Sequence, residues 1–210
     1  MFTDQNRPRT TPSCRISRSG QAVGPTHRSI TLAANLLARS VHDLTAAAWF
    51  GGSLMGAVGL NGAAAEAKDP TERTRLSALG WKKWAPVQAA AIGMHFLAGL
   101  ALVGDNKTRV AKQEGVAGLT AYKTAVTALA GVVTLYSGIL GSKVEKLSEQ
   151  GSQGATEPHA GASDELKSAQ RQLKILQWSI PVLSGAVIVM GAQHGEMQRP
   201  ANVLKGLKQS

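Results

Sequence analysis

The sequence is poor in cysteine, in aromatic side chains and in charge. Cys14 is the only cysteine, which excludes a disulfide framework within the chain and a cluster of thiolate metal ligands. Aromatic residues make up 4% and charged residues 17% of the chain, whereas glycine occurs 23 times. Low charge and many small residues are typical of tightly packed membrane helices rather than of a water-soluble core.

Charged residues are missing altogether from four stretches, which are 22, 21, 19 and 21 residues long. The charge-free stretches are 44–65, 84–104, 124–142 and 175–195. A helix needs about 20 apolar residues to cross a hydrocarbon core of about 30 Å. The sequence therefore predicts an all-α, integral membrane four-helix bundle. We place its spans at about 41–63, 84–104, 119–141 and 175–195.

The remaining segments are short and polar. Residues 1–29 are rich in Arg, Pro, Ser and Thr and have no hydrophobic period, which predicts a disordered basic tail; they also lack the apolar run of a signal peptide. Residues 30–196 form the predicted membrane domain. Within it, the Gly-rich segment 148–164 is expected to be a flexible linker. Residues 197–210 form a polar C-terminal tail.

The first helix is expected to begin between residues 26 and 31 and to continue unbroken through Ala63. It contains Gly52 and Gly56 in a Gly-x-x-x-Gly pattern. Because small residues at this spacing let two helix backbones approach closely, we expect a helix–helix contact there.

Each predicted span carries one stripe of polar and small residues, spaced about seven apart. Seven residues bring side chains back to within about 20° of each other on a helix. Lipid offers hydroxyl and amide groups no partners, so these stripes are expected to face one another. The stripes are His42, Trp49, Ser53 and Gly56; Gln88, His95 and Gly99; Thr120, Thr124, Thr127, Gly131, Thr134 and Gly138; and Gln177, Ser184 and Gly191.

The net charge of +10 is distributed over both tails and all the loops. This pattern favours attraction to anionic lipid headgroups, and we expect no nucleic-acid partner. Twelve basic residues fall on the side of the termini and ten on the other side, a bias that predicts cytoplasmic termini. An aromatic belt is expected at the opposite membrane face, formed by Trp81, Trp84, Tyr136 and Trp178.

Arg39, His42 and Asp43 bring ionisable groups to the boundary of the first span. Arg39 and Asp43 are four residues apart, a spacing that allows an ion pair. One interpretation is that this pair only anchors the helix at the interface. The other is that His42 is a ligand for a metal or haem, or part of a proton relay.

His95 lies near the middle of the second span. It either donates a hydrogen bond to Thr127 or Ser184, or serves as a ligand. If His42 and His95 were the two axial ligands of a haem, they would have to lie at similar depths in the membrane. The sequence places His42 near the surface. The two histidines reach the same depth only if the first helix lies deeper in the membrane. His194, at the end of the fourth span, is expected to be able to approach His42.

The segment His42-Asp43-Leu44-Thr45-Ala46-Ala47-Ala48-Trp49-Phe50-Gly51-Gly52 resembles the first helix of the copper-resistance D family and related four-helix membrane domains of unknown function. The resemblance covers about twenty residues. It implies copper handling or haem-associated redox work, with His42 as the family's first-helix histidine and His95 as a second-span histidine. The Met-rich or Cys-rich segments that copper traffic favours are absent from the sequence.

The sequence has no nucleotide-binding loop, acid/base pair or room for a large soluble domain. We therefore expect a small multi-pass protein of the cell inner (cytoplasmic) membrane. It would act as a non-catalytic accessory or structural subunit, in a homo-oligomer or a larger membrane complex. The alternative is a haem- or copper-binding redox or quinone-associated protein that uses His42 and His95. A transporter is disfavoured, because four spans without inverted repeats need oligomerisation to form a pathway.

Overall fold

The computed structural model describes residues 27–202, with side chains from residue 34 onward. Within this range the chain is helical and has no β-strand, only an isolated bridge between Ser152 and Pro158. The all-α prediction is thus confirmed for the described residues. The α-helices are α1 (His27–Met55), α2 (Asn61–Ala65), α3 (Pro70–Asp105), α4 (Lys107–Lys112), α5 (Val116–Lys146) and α6 (Asp164–Glu196). Cys14, the rest of residues 1–26 and residues 203–210 lie outside the described part.

The first helix begins within the predicted interval but does not continue unbroken through Ala63. A π-helical turn, Gly56–Leu60, follows α1 and leads directly into α2. Such a turn inserts one extra residue into a helix, and glycine lowers the stability of the regular α-helix at this point. The insertion rotates the residues that follow it. Asn61 precedes Gly62, and an Asn-Gly pair is typical of turns and loops, but here Asn61 is buried in the interior.

Three helices, α3, α5 and α6, are long and apolar enough to cross a membrane. They contain 36, 31 and 33 residues. At about 1.5 Å per residue, even the shortest exceeds a hydrocarbon thickness of about 30 Å. The first predicted span, 41–63, is not among these three, because the π-turn divides it and its many Ala and Gly residues are only weakly apolar.

The long helices pack in two closely associated pairs, α1 with α3 and α5 with α6. α1 also packs along α6, whereas α3 and α5 contact each other less extensively. α1 therefore lies between two of the membrane-length helices, and the weakest side of the assembly is the one between α3 and α5.

The predicted polar stripes largely face the interior. Most of their members are buried, namely His42, Trp49, Ser53, Gly56, Gln88, His95, Thr127, Gly131, Gln177 and Ser184. Thr124 and Gly138 of α5 are exposed instead, contrary to the prediction. A seven-residue repeat drifts by about 20° per step on a helix, and Thr124 lies where α3 and α5 separate.

The glycines of the predicted contact accommodate side chains rather than a neighbouring backbone. A Cβ atom added to Gly52 would overlap the indole ring of Trp84, and one added to Gly56 would overlap that of Trp81. Both tryptophans belong to α3, so the pattern does mark the interface between α1 and α3. The close approach is between backbone and aromatic ring.

This packing differs from the predicted aromatic belt for two of its four residues. Trp81 and Trp84 are partly buried between helices, because the space above the two glycines admits their rings. Trp178 and Tyr136 remain exposed, at 48% and 43%. The expected belt is thus reduced to these two side chains on the outer surface.

Residues 148–164, expected to be a flexible linker, form a packed loop. Ser152 is fully buried; its backbone N–H donates to the carbonyl of Pro70 at 3.1 Å. Its hydroxyl is hydrogen-bonded to that of Thr74, and Arg73 donates to the carbonyl of Gln153 at 3.1 Å. Small residues do not only confer flexibility: here they let the loop lie directly against the start of α3.

A charged contact fixes the same loop to α6. Lys174 lies 3.0 Å from the carboxylate of Glu157. Burial raises the pKa of Glu157, but hydrogen bonds from Lys174 and Thr156 outweigh it and leave the pKa below its ordinary value. The loop thus closes the end of the assembly opposite the site described next.

Candidate functional site

The predicted site residues meet at a cavity of about 390 Å³. It lies at the end of the assembly where the first half of α1, the last turns of α3, the start of α5 and the end of α6 converge. Arg39, His42, Asp43 and His95 all line it, together with His194. Residues that were singled out separately in the sequence thus line one cavity.

His42 and His95 are in direct contact. Their ring centroids are 4.0 Å apart, with planes inclined by 31°, and both side chains are buried. His95 donates a hydrogen bond from Nδ1 to the backbone carbonyl of His42 at 3.0 Å. The expectation that the two lie at different depths was wrong: His42 is four turns inside a helix that begins at His27, far from a free helix end.

The expected partners of His95 are engaged elsewhere. Thr127 donates to the carbonyl of Lys123 at 2.8 Å, and Ser184 donates to the carbonyl of Ile180 at 2.7 Å. In an apolar interior, these hydroxyls bond to the preceding turn of their own helix, a common alternative to a contact between helices. His95 is thus satisfied by α1 rather than by α5 or α6.

A chain of three polar groups links α1 to α5 through His42. Its Nδ1 lies 3.0 Å from Asp43 Oδ1, and its Nε2 lies 3.3 Å from Lys123 Nζ. An ammonium group can only donate. His42 Nε2 is therefore the acceptor from Lys123, and the ring proton lies on Nδ1, where it is donated to Asp43.

Lys123 is a site residue that sequence reasoning missed; it was counted only as a basic residue of the inner side. A signal existed in its position. Lys123 lies three residues after Thr120 and four before Thr127, so it shares their inward face. It lines the cavity beside Gly191 of α6.

Arg39 does not form the expected ion pair with Asp43. Its guanidinium donates to Oε1 of Gln198, just beyond α6, whereas Asp43 accepts from His42. The spacing of four residues allowed the pair, but His42 offers Asp43 a donor without the entropy cost of ordering a long arginine side chain. Arg39 instead connects the first helix to the end of the last one.

The C-terminal end of α6 is held to the α4 region. Arg109 and Gln113 both donate to the carbonyl of Met197, at 3.3 Å and 3.0 Å. Burial, together with the positive charge of Arg39, lowers the pKa of Arg109. His194 lines the same cavity as His42, as expected, and its Nε2 lies 3.2 Å from Oγ1 of Thr120.

Trp49, predicted as an interior residue, forms the packed layer beneath the cavity. Its side chain is fully buried, and its Nε1 donates to Thr134 Oγ1 at 3.2 Å. The indole meets the ring of His95 edge to face, with centroids 6.3 Å apart. Trp49 thereby supports His95 from below and links α1 to α5.

The cavity carries an excess of positive charge. Arg39, Arg109 and Lys123 line it, and the only carboxylate that does so is Asp43. Among the side chains that the structure describes, none of the three cations forms an ion pair with a carboxylate within 4.0 Å. The site is therefore electrostatically suited to an anion.

The stacked rings of His42 and His95 do not fit a haem iron held between them. Within residues 27–202, no group of three or more His, Cys, Asp or Glu side chains is placed to hold a metal ion. Two axial nitrogens stand about 2.0 Å on either side of a metal, with their rings farther apart still, whereas His42 and His95 are stacked at 4.0 Å. Lys123 also occupies Nε2 of His42 with its positively charged ammonium group.

A second polar cluster, also missed, lies at the other end of the interior. Asn61 donates to Gln177 Oε1 at 2.7 Å and accepts from Ser77 and Trp81, both at 2.9 Å. The Asn-Gly dipeptide suggested a loop, but the π-turn directs Asn61 inward. Its amide hydrogen-bonds side chains of α3 and α6 and so holds both to α2.

No protein-family model, curated protein or solved structure matches this chain.

Proposed function

We propose that the chain is a small multi-pass membrane protein, a four-helix bundle that acts as a non-catalytic accessory or structural subunit. One observation carries this proposal: large apolar side chains are exposed along every long helix, while many polar side chains are buried between the helices. On the four long helices, Leu44, Leu97, Leu135 and Val182 are 71%, 63%, 72% and 70% exposed. A water-soluble protein rarely exposes large apolar side chains along every helix, whereas a bilayer requires them.

The interior supports the same proposal. Gln88, Gln177 and Asn61 are buried, and interhelical hydrogen bonds of this kind hold helices together where lipid removes the hydrophobic drive for association. These contacts bind one helix to another. This favours a structural role over a catalytic one.

α1 is the fourth proposed span because of its neighbours. It packs between α3 and α6, each long enough to cross a membrane, so it shares their depth. Leu36, Leu37 and Met55 extend its exposed apolar surface. The bilayer is then the principal partner. The outer faces of the helices are available to a second copy or to a larger complex. Because the basic residues are dispersed, they do not favour binding to a nucleic acid.

The placement proposed is the cytoplasmic (inner) membrane with both termini on the cytoplasmic side. Membranes washed with alkaline carbonate should retain the protein, and detergent should release it. Native protein in the carbonate supernatant would contradict membrane integration.

Reporter fusions test the orientation. A cytoplasm-active reporter after Ser210 should be active, and one inserted at the exposed Ala160 should be inactive. Signals of the same sign at both positions would mean an even number of crossings, or none, between that loop and Ser210.

A further inference from the structure

We propose that the cavity between α1, α3, α5 and α6 binds the phosphate group of an anionic ligand, supplied by a phospholipid of the surrounding bilayer. Phosphate binding is inferred from the set of residues that line the cavity. Its lipid source rests on the membrane placement proposed above. The binding group consists of Arg39, Arg109 and Lys123.

The donors of these residues are only partly used. An arginine has five N–H donors and a lysine has three. Among the residues that the structure describes, Lys123 is hydrogen-bonded to His42, and the guanidinium of Arg39 donates to Gln198. Burying a cation without an anionic partner is costly, and a phosphate would accept the remaining hydrogen bonds from both residues in charge-assisted form.

The one carboxylate nearby does not neutralise this charge. Asp43 accepts from His42 and is 64% exposed. Solvent therefore screens much of its charge, and its contact fixes His42 so that Nε2 accepts from Lys123. The arrangement holds the Lys123 ammonium in place while leaving its other hydrogens available.

The remainder of the cavity is apolar, which distinguishes it from a site for a free inorganic ion. Phe96, Leu100, Val103 and Val110 line it beside the basic residues. A volume of about 390 Å³ is within the range of about 300–1,000 Å³ found for organic ligands. The chemistry fits an amphiphile with an anionic head and an apolar chain.

The cavity is open sideways between α3 and α5. Leu100 is 69% and Val103 is 42% exposed at its edge, and Thr124 on the facing helix is exposed as well. This is the side on which the long helices are least closely packed. In a bilayer an acyl chain would lie against this opening while its headgroup reaches the basic residues, as basic pockets between membrane helices do with anionic lipids.

The test uses the full chain, purified and delipidated in a neutral detergent, with native mass spectrometry to count bound lipid. Phosphatidylglycerol should bind in a 1:1 complex and at least about tenfold more tightly than phosphatidylcholine. Lys123→Gln and Arg109→Gln should each weaken phosphatidylglycerol binding about tenfold, as expected for a lost hydrogen bond between charged groups. Lys112→Gln is the matched control, since it removes the same charge from an exposed site on α4 outside the cavity.

A steric pair tests the site without changing charge. Gly99 lines the cavity, and an added Cβ would stand 3.7 Å from His42, in ordinary contact. Gly99→Leu should therefore fold and block the lipid. Gly93→Leu, on the same helix with nothing within 4 Å, should bind it normally. Lys123→Arg keeps the charge and should retain binding, which separates loss of charge from misfolding.

Competition with inorganic phosphate identifies the source. Displacement of phosphatidylglycerol only at phosphate concentrations far above those of the lipid supports the lipid. Displacement by equal concentrations supports the phosphate site but assigns it to a soluble phosphate compound. Equal binding of both lipids, or equal loss in Lys112→Gln and Lys123→Gln, would overturn the proposal. Failure of membrane integration would appear separately, in the carbonate wash.

Discussion

Gly52 is expected to tolerate no side chain, whereas its neighbour Gly51 should accept one. A Cβ at Gly52 overlaps the ring of Trp84, and one at Gly51 meets nothing within 4 Å. Overpacking of this kind typically costs about 1–3 kcal/mol, and replacing glycine by alanine in a helix returns about 0.5–1 kcal/mol. We predict that Gly52→Ala is destabilised by about 1–2 kcal/mol and that Gly51→Ala is stabilised by up to about 1 kcal/mol.

The assay is reversible unfolding in detergent micelles, followed by circular dichroism, for the two variants and the parent. A double-mutant cycle then isolates the contact. In a Trp84→Ala background the ring is gone, so adding Gly52→Ala should become favourable. The sign of the Gly52→Ala effect should thus reverse between the two backgrounds.

A Gly52→Ala variant as stable as Gly51→Ala would refute this reasoning. It would mean that Trp84 is free to move away and that the α1–α3 contact does not depend on the glycine. The inward orientation assigned to this face of α1, on which the position of His42 also depends, would then lose its main packing support.

Three further expectations concern other parts of the molecule. Asn61→Ala should destabilise the protein by about 2 kcal/mol in the same unfolding assay, since it breaks three interhelical hydrogen bonds of about 0.6 kcal/mol each. Asn106→Ala, whose amide bonds only to Leu102 and Arg109 in the adjacent turns of the chain, should have a smaller effect. Because the pKa of Glu157 is lowered in the fold, its contact with Lys174 stabilises the loop above about pH 4.5 and is lost as pH falls; melting temperatures of Glu157→Gln and the parent should differ at pH 7 and converge near pH 3. Protein purified after supplying haem should show no Soret band, and a band abolished by His95→Ala would restore the haem hypothesis.

The sequence predicted the helices and their inward faces because both depend on local properties. Charge-free stretches mark helices α3, α5 and α6, and the seven-residue spacing of Gln88 and His95 already identifies one buried face. Such patterns follow from the helical period alone. They need no knowledge of which helix lies beside which.

The features that the sequence did not predict depend on contacts with residues distant in the chain. The Gly-rich composition of residues 148–164 is the same whether a loop is mobile or packed, and the carbonyl of Pro70 and the hydroxyl of Thr74 decide the outcome for Ser152. The long side chain of Lys123 is equally able to extend towards the membrane surface. The heptad position of Lys123 allows an inward orientation, and the contact with His42 on the facing helix decides it.

The two polar clusters of the interior differ in one physical respect that bears on function. At Asn61 the amide donates to Gln177 and its oxygen accepts from Ser77 and Trp81, so this neutral network is closed on itself. At the other end, Arg39 and Lys123 bring more positive charge than Asp43 can offset. Purely structural polar groups in a low-dielectric interior are most stable when fully paired. The closed cluster therefore accounts for the assembly of the helices, and the open one is the place where the proposed phosphate group would complete the pairing.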